Sequence, residues 1–436
     1  MTTLGVQSVG SPSAAGSARL RRAGANATSH AIVDFFSFFT IALMPLLTVR
    51  LSLSALQVAM VIGMGSVCSG LIQPLVAWLS DRHDSRVFGT LGMGVAVLGT
   101  SSLGLADNFW QLLALQAVSA TGVGAFHPIA AAAIGSLAGK RRTRYVAAFF
   151  VAGMVGGILG NMSTPQYVAL MSRLGGGEPD MGRGLLALLW LIVPGTMGVA
   201  LMSWSVRGLS HRTHGAMEHH AQLSPEERAS RWTAVGLLFA GNVLRFCTNM
   251  ALVYLMVQWA TQLAQRLHPG AGVEAIGMFA SEINGPMQGA QQLGMGIGGI
   301  GLGLLLSARF EKAVFCVFPF IGAIAIAGLP LTDGLPDRLV APIGFAVTAL
   351  AGLGFGSVVP VSVSLAQRLL PHRTSLASGL VMGGAWAMAF LGPHFAGAAQ
   401  ARWGLPTAFV ATGAMLACSG ILALALPGKL IRATEE

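Results

Sequence analysis

Stretches of about twenty apolar residues recur along nearly the whole chain, and nothing else in the sequence restricts its fold so strongly. A helix rises about 1.5 Å per residue, so about 20 residues span the roughly 30 Å of bilayer hydrocarbon. Runs of this kind occupy 25–49, 56–79, 87–106, 110–138, 144–172, 184–206, 232–262, 284–308, 313–331, 338–369, 374–400 and 405–426. The 436 residues are 54% hydrophobic and 10% charged, more apolar surface than soluble cores can hide. The expectation is an all-α polytopic membrane protein of twelve transmembrane helices.

A net charge of +10 suggests either a nucleic-acid partner or a membrane orientation. With the N-terminus inside, Arg19, Arg21, Arg22, Arg82, Arg86, Lys140, Arg141, Arg142, Arg144, Arg207, Arg212, Arg228, Arg231, Arg309, Lys312, Arg368, Arg373, Lys429 and Arg432 share one side. Arg50, Arg173, Arg183, Arg266, Arg338 and Arg402 fall on the other. By the positive-inside rule both termini are cytoplasmic. No soluble domain carries a basic face with interleaved aromatics, so the bilayer, and not nucleic acid, is the expected partner. Cys68, Cys247, Cys316 and Cys418 lie within the apolar runs without metal-site spacing and read as small packing residues.

Residues 1–24 are rich in Ser, Ala and Gly and read as a disordered cytoplasmic tail, since no small-residue cleavage site precedes the first span. Residues 25–206 form a first six-helix bundle, 207–231 a polar cytoplasmic linker, 232–426 a second bundle, and 427–436 a cytoplasmic tail. The two bundles overlay at three places. Ser80-Asp81-Arg82-His83-Asp84 matches Ser307-Ala308-Arg309-Phe310-Glu311. Gly122-Val123-Gly124 before Pro128 matches Gly354-Phe355-Gly356 before Pro360, and Asp34-Phe35 matches Arg245-Phe246.

This parallel repeat resembles the major facilitator superfamily and, within it, the fosmidomycin-resistance-type efflux proteins, over residues 29–426. The superfamily loop G-x-x-x-D-R-x-G-R-R stands here as Ala77 to Arg86, keeping Asp81, Arg82 and Arg86 and replacing both glycines. In the second-half copy Ala308 takes the place of the acid. Nearer to the subgroup are His30 and Asp34 four apart, and Phe126-His127-Pro128 after Gly122 and Gly124. Gly153, Gly156, Gly157 and Gly160 look like the antiporter motif of drug/proton exchangers, with Asn161 where proline is usual. Gly383-Gly384-Ala385-Trp386 and Gly392-Pro393 are also similar to the subgroup.

Sorting all sixteen acids by span leaves Asp34 alone inside the membrane, and the same sorting of cations leaves Arg245. A charge at mid-membrane costs about 2.5–3.5 kcal/mol on the lenient scale, so such groups face a partner or a wet cavity. The resemblance implies that helices 1, 4, 7 and 10 line a central cavity, across which Asp34 and Arg245 should meet. Asp34 would be the proton-coupling acid, with His30 one turn before it as relay. The alternative is a permanent salt bridge that only fixes packing. Arg245 hints at a carboxylate or phosphonate substrate. His127, at the proline break in helix 4, is either a cavity residue or hydrogen-bonded to a neighbouring helix. Phe35 and Phe39 share a face and, with Tyr254, Trp259 and Trp386, could form an apolar wall for amphiphilic drugs; membrane packing explains aromatics equally well. From the resemblance, Asp81, Arg82, Arg86 and Arg309 would gate the cytoplasmic side.

Gly296-Ile-Gly298-Gly299-Ile-Gly301 matches G-x-G-x-x-G without a βαβ unit and reads as helix packing. His211, His214, His219 and His220 sit among Arg, Glu, Gln and Ser, the composition of a solvated linker, so no metal is expected. The functional expectation is a monomeric, proton-coupled exporter of small drug-like or anionic molecules in a bacterial inner membrane, driven by the proton gradient without a cofactor. An uptake symporter or a metabolite or siderophore exporter is the runner-up. A membrane enzyme should show convergent catalytic groups and a sensor an added domain; neither feature is seen.

Overall fold

The computed structural model describes residues 14–82, 86–138, 142–174, 179–209 and 224–433. α1 runs over Ala14–Ser37 and continues after breaks as Phe39–Ala42 and Met44–Arg50. Then come α2 (Ala55–Arg82), α3 (Arg86–Ser101), α4 (Phe109–Ala138), α5 (Arg142–Arg173) and α6 (Met181–Val206). The second half repeats the series as α7 (Pro225–Leu267), α8 (Val273–Leu305), α9 (Arg309–Gly334), α10 (Asp337–Leu369), α11 (Leu376–Trp403) and α12 (Leu405–Ala425).

Among the described residues nine helices are long and apolar enough to cross a membrane, and α1, bent by 45°, is a tenth. α3 is apolar but short over Val87–Ser101. α8 has the length, yet Glu274, Glu282, Asn284, Gln288, Gln291 and Gln292 lie along it. The twelve expected elements are thus present. Trp110, Trp190, Val193, Ile324 and Leu331 project outward, a contiguous apolar exterior that lipid accepts and water does not.

Two helices start earlier than their apolar runs, for reasons visible in the chain. Ser224 accepts a hydrogen bond from the Glu227 backbone, with Pro225 at the first turn and Glu226 and Glu227 behind it; this capping starts α7 inside the segment expected as a linker. α1 starts inside the segment expected as a tail. There Arg22 donates to the Ser205 carbonyl at 2.9 Å, and to that of Arg207, tying the end of α6 and correcting the reading of residues 14–24 as disordered. The linker histidines lie outside the described residues.

The break in α1 has a specific cause and a specific partner. Pro45 has no N–H, so the Ile41 carbonyl loses its helical donor. Asn284 of α8 supplies one, from Nδ2 to Ile41 O at 2.7 Å and to Ala42 O at 3.3 Å. The Leu46 amide donates instead to Ser281 Oγ at 3.2 Å. One half thus completes the backbone of the other at the end opposite the termini, where Arg50 also lies 3.9 Å from Glu274. Further toward the termini the halves touch through Asn161 Nδ2 to Gln292 Oε1 at 3.3 Å and Trp386 Nε1 to Ser69 Oγ at 3.0 Å. At the end opposite the termini the two halves are thus in direct contact. Asn284→Leu would leave buried carbonyls unpaired at about 1–3 kcal/mol each. The expected result is faster maleimide labelling of a cysteine placed at Gly277, which packs on Leu46; unchanged labelling would mean that the bonds do not hold the halves together.

Candidate functional site

The site is built where α1, α4 and α5 converge. His30 and Asp34 are one turn apart on α1, and His127 arrives from α4 just before Pro128. His30 Nε2 lies 3.3 Å from Asp34 Oδ2, and His127 Nε2 lies 3.2 Å from Asp34 Oδ1. Each carboxylate oxygen therefore has its own imidazole. Both rings are anchored on the far side: His30 Nδ1 donates to the Phe149 carbonyl and His127 Nδ1 to the Val123 carbonyl, each at 2.8 Å. The His30 ring stacks on Phe149 at 3.9 Å between centroids and meets His127 edge-on at 5.1 Å. Exposure grades outward, with side-chain values of 4% for His30, 16% for Asp34 and 30% for His127. His127 is the most exposed of the three.

A small residue on α5 makes room for this arrangement. A Cβ on Gly153 would stand 2.6 Å from both Asp34 Oδ2 and His30 Nε2. The next glycines of the same ladder let α5 touch the α1 backbone, Gly156 at the Ala31 carbonyl and Gly160 at that of Phe35. Gly157 faces Phe38 and, across the halves, Gln292. Gly153→Ala is expected to displace the acid, lose about 1–3 kcal/mol of stability by overpacking and weaken pH-driven transport. Measured together, folding and transport would separate it from Gly94→Ala, whose Cβ meets nothing within 4 Å; equal transport in the two would remove Gly153 from the site.

Arg245 is not the partner of Asp34. It lies 1% exposed in the core of the second half, where Nη1 donates to Asn242 Oδ1 at 2.9 Å and the guanidinium sits 5.4 Å from the Phe315 ring of α9. Asn242 Nδ2 in turn donates to Ser362 Oγ at 2.8 Å and to the Val381 carbonyl at 2.9 Å. That carbonyl belongs to a π-helical turn, Gly379–Gly384 of α11, where regular pairing is interrupted. No carboxylate among the described residues pairs with Arg245. The expected ion pair across the cavity is not formed in this structure, because α7 turns this face toward α9, α10 and α11.

The three ligand atoms of His30, Asp34 and His127 also lie within 4.8 Å of one another, close enough for a cation to fill the space. One imidazole per carboxylate oxygen, at 3.3 and 3.2 Å, is equally the geometry of two separate hydrogen bonds.

A sequence model of the Major Facilitator Superfamily matches residues 27–345, about three-quarters of the chain and all of the triad. The chain belongs to this superfamily. It is 24% identical to the fosmidomycin resistance protein of Escherichia coli (strain K12), covering 85% of this chain and 84% of that one. Among solved structures it is similar to a bacterial homologue of the human drug peptide transporters PepT1 and PepT2, with a TM-score of 0.68 at 15% identity over 95% of this chain and 99% of that one. It is also similar to a bacterial homologue of the human lysosomal transporter Spinster in an inward-facing, occupied conformation, with a TM-score of 0.66 at 16% identity over 95% and 96%. As a member of this superfamily the chain is a transporter and not an enzyme.

Other expected site residues of this transporter scatter. Phe39 is fully buried against Phe36 and Phe35, and Tyr254 is buried in the second half beside Gly397 with its hydroxyl unpaired; neither lines open space, because each helix turns that face into its own bundle. Phe35 does, at an apolar cavity of about 240 Å³ between α1, α5 and α6. Trp386 bridges the halves through Ser69 and packs edge-on against Phe246 at 5.1 Å. The side chains of Asp81, Arg82 and Arg86 lie outside the described residues. Arg309 is exposed over the Phe310 ring at 4.5 Å, and the ion pair at that level is made by Glu311 with Arg368 of α10. The acid missing at Ala308 is thus supplied three residues later.

Proposed function

We propose that this transporter is a proton-coupled exporter of small drug-like or anionic organic molecules, working by alternating access, with His30, Asp34 and His127 as the coupling site. The single observation that carries the proposal is one carboxylate within a membrane-spanning helix held by two imidazoles, of which His127 is the more exposed. Imidazole titrates near neutrality, where membrane pH gradients operate. The resemblance to the fosmidomycin resistance protein supports export and makes fosmidomycin the first compound to try. The basic residues on the side of the termini support a cytoplasmic location for both in a bacterial inner membrane. The end opposite the termini, where the halves meet, would then be the outer one and the conformation inward-facing. The proton gradient is the energy source, no cofactor takes part, and the chain acts as a monomer.

One observation favours uptake by symport instead: protonated imidazoles beside the solute path would hold an anion together with the proton, not compete with it. The two readings differ in sign. Substrate binding releases protons in the antiporter and takes them up in the symporter. The test is a pH jump on proteoliposomes with a panel of compounds, fosmidomycin included, followed by a pH-indicator reading on adding the transported compound to the purified protein. Transport of none of them, or transport indifferent to the pH gradient, would refute proton coupling.

A further inference from the structure

We infer that the triad takes up two protons per cycle and not one, so that loading reverses the charge of the site from −1 to +1. The inference rests on the proton-coupled reading and follows from donor and acceptor inventory. A backbone carbonyl can only accept, so the Phe149 and Val123 carbonyls fix the hydrogen of each ring on Nδ1. In a neutral ring of that tautomer Nε2 is a bare lone pair. Here both Nε2 atoms face carboxylate oxygens at 3.2–3.3 Å, and an ionised carboxylate also only accepts. Each gap is therefore a meeting of two acceptors until a proton enters it.

With two gaps, full hydrogen bonding needs two protons. They can sit as two imidazolium rings on an ionised Asp34, or as one imidazolium and a protonated Asp34; the sum is +1 in both cases. With neither proton the sum is −1, and two acceptor pairs are pressed together in a poorly solvated pocket, which burial makes costly. A single proton leaves one gap unsatisfied but the site neutral, and the charge of one imidazolium opposes protonation of the other, so the two protons enter in separate steps. Among the described residues the charges acting on these groups are those of the triad itself, from α1 and α4, while α5 contributes the Phe149 carbonyl and ring and the space at Gly153. The placement of one hydrogen on each Nδ1 is unusual enough to be seen, since free histidine carries it mostly on Nε2.

The test uses the full chain in lipid nanodiscs with 15N-labelled histidine, the two ring signals being assigned from His127→Asn and His30→Asn. At low pH the triad should hold two protons, seen as two imidazolium rings or as one imidazolium beside a protonated Asp34 carboxyl, and at high pH both rings should carry the Nδ1–H form. An Nε2–H form in either ring, or two neutral rings throughout, would overturn the inference. Should a histidine variant fail to fold, proton counting in a pH step gives an independent reading. Asp34→Asn offers one acceptor and one donor in place of two acceptors, so it should release one proton fewer per molecule than the wild type. Equal release would refute the two-proton site. One-proton coupling of this kind would leave pH-driven transport intact, whereas transport indifferent to pH would refute the underlying reading while the ring titration stayed legible.

Discussion

Asp34→Asn is expected to reduce strongly the accumulation driven by a pH gradient while leaving exchange of the transported compound between two membrane faces. The amide is nearly the same size as the carboxylate, and its oxygen and NH2 can each meet one imidazole across the gaps of 3.2–3.3 Å seen in the wild type. The packing of α1 on α4 and α5 therefore survives. The charge change between loaded and empty states does not survive in full: it falls from two protons to one. Coupling free energies between linked sites run to about 1–3 kcal/mol, or roughly 5–150-fold, and pH-driven accumulation should fall by a factor in that range. The sign of the pH dependence follows: in the wild type, acidifying the outer compartment should load the triad from outside and speed export, whereas Asp34→Asn should give a shallower profile between about pH 5 and 8, where imidazole ordinarily titrates. Proteoliposomes carrying each protein, assayed for exchange and for pH-driven movement, provide the comparison. A folded variant that accumulates as the wild type does would remove Asp34 from coupling.

His127→Gln divides the same question differently, because His127 is the solvent-side ring and makes its second contact only to its own helix, at Val123. It should keep a folded site with one working gap. Its coupling should lie between wild type and Asp34→Asn.

The membrane class, the twelve helices and the pairing of the halves were legible in the sequence because each depends on composition, length and repeat, which are properties of the chain alone. Asp34 was legible for a related reason: elimination by depth needs only a topology. Its partner was not. Arg245 matched Asp34 in the repeat, but the repeat fixes a position along the helix and not the direction of a side chain, and α7 rotates Arg245 into its own bundle against Asn242 and Phe315. His127 was flagged by the proline break with two readings open, and only the approach of α4 to α1 decides that it reaches Asp34. Gly153 was visible as one rung of a ladder. That its missing Cβ is the space occupied by His30 and Asp34 depends on helix crossing, which no spacing encodes. Ser281 and Asn284 carried no signal, since their role exists only where α8 meets the gap left by Pro45 in another half of the molecule.

Asn242→Leu should be the most destabilising polar substitution in the second half, and Arg245 the reason. Asn242 uses its whole side chain: its oxygen accepts from Arg245, and its amide donates to Ser362 and to the Val381 carbonyl in the π-helical turn of α11. Leucine would leave that carbonyl unpaired and a buried guanidinium with no hydrogen-bond acceptor replacing the lost one, a loss of about 3–5 kcal/mol. Arg245→Met should cost much less, because a flexible apolar side chain of similar length removes the charge that needs the acceptor. The double variant should accordingly be more stable than Asn242→Leu alone. Thermal unfolding of the detergent-solubilised proteins, arranged as a double-mutant cycle, reads the interaction directly. Arg245→Met should also keep transport, since its guanidinium meets Asn242 and Phe315 and not the triad. A folded Arg245→Met that no longer moves substrate would return the arginine to the solute path and require α7 to rotate during the cycle.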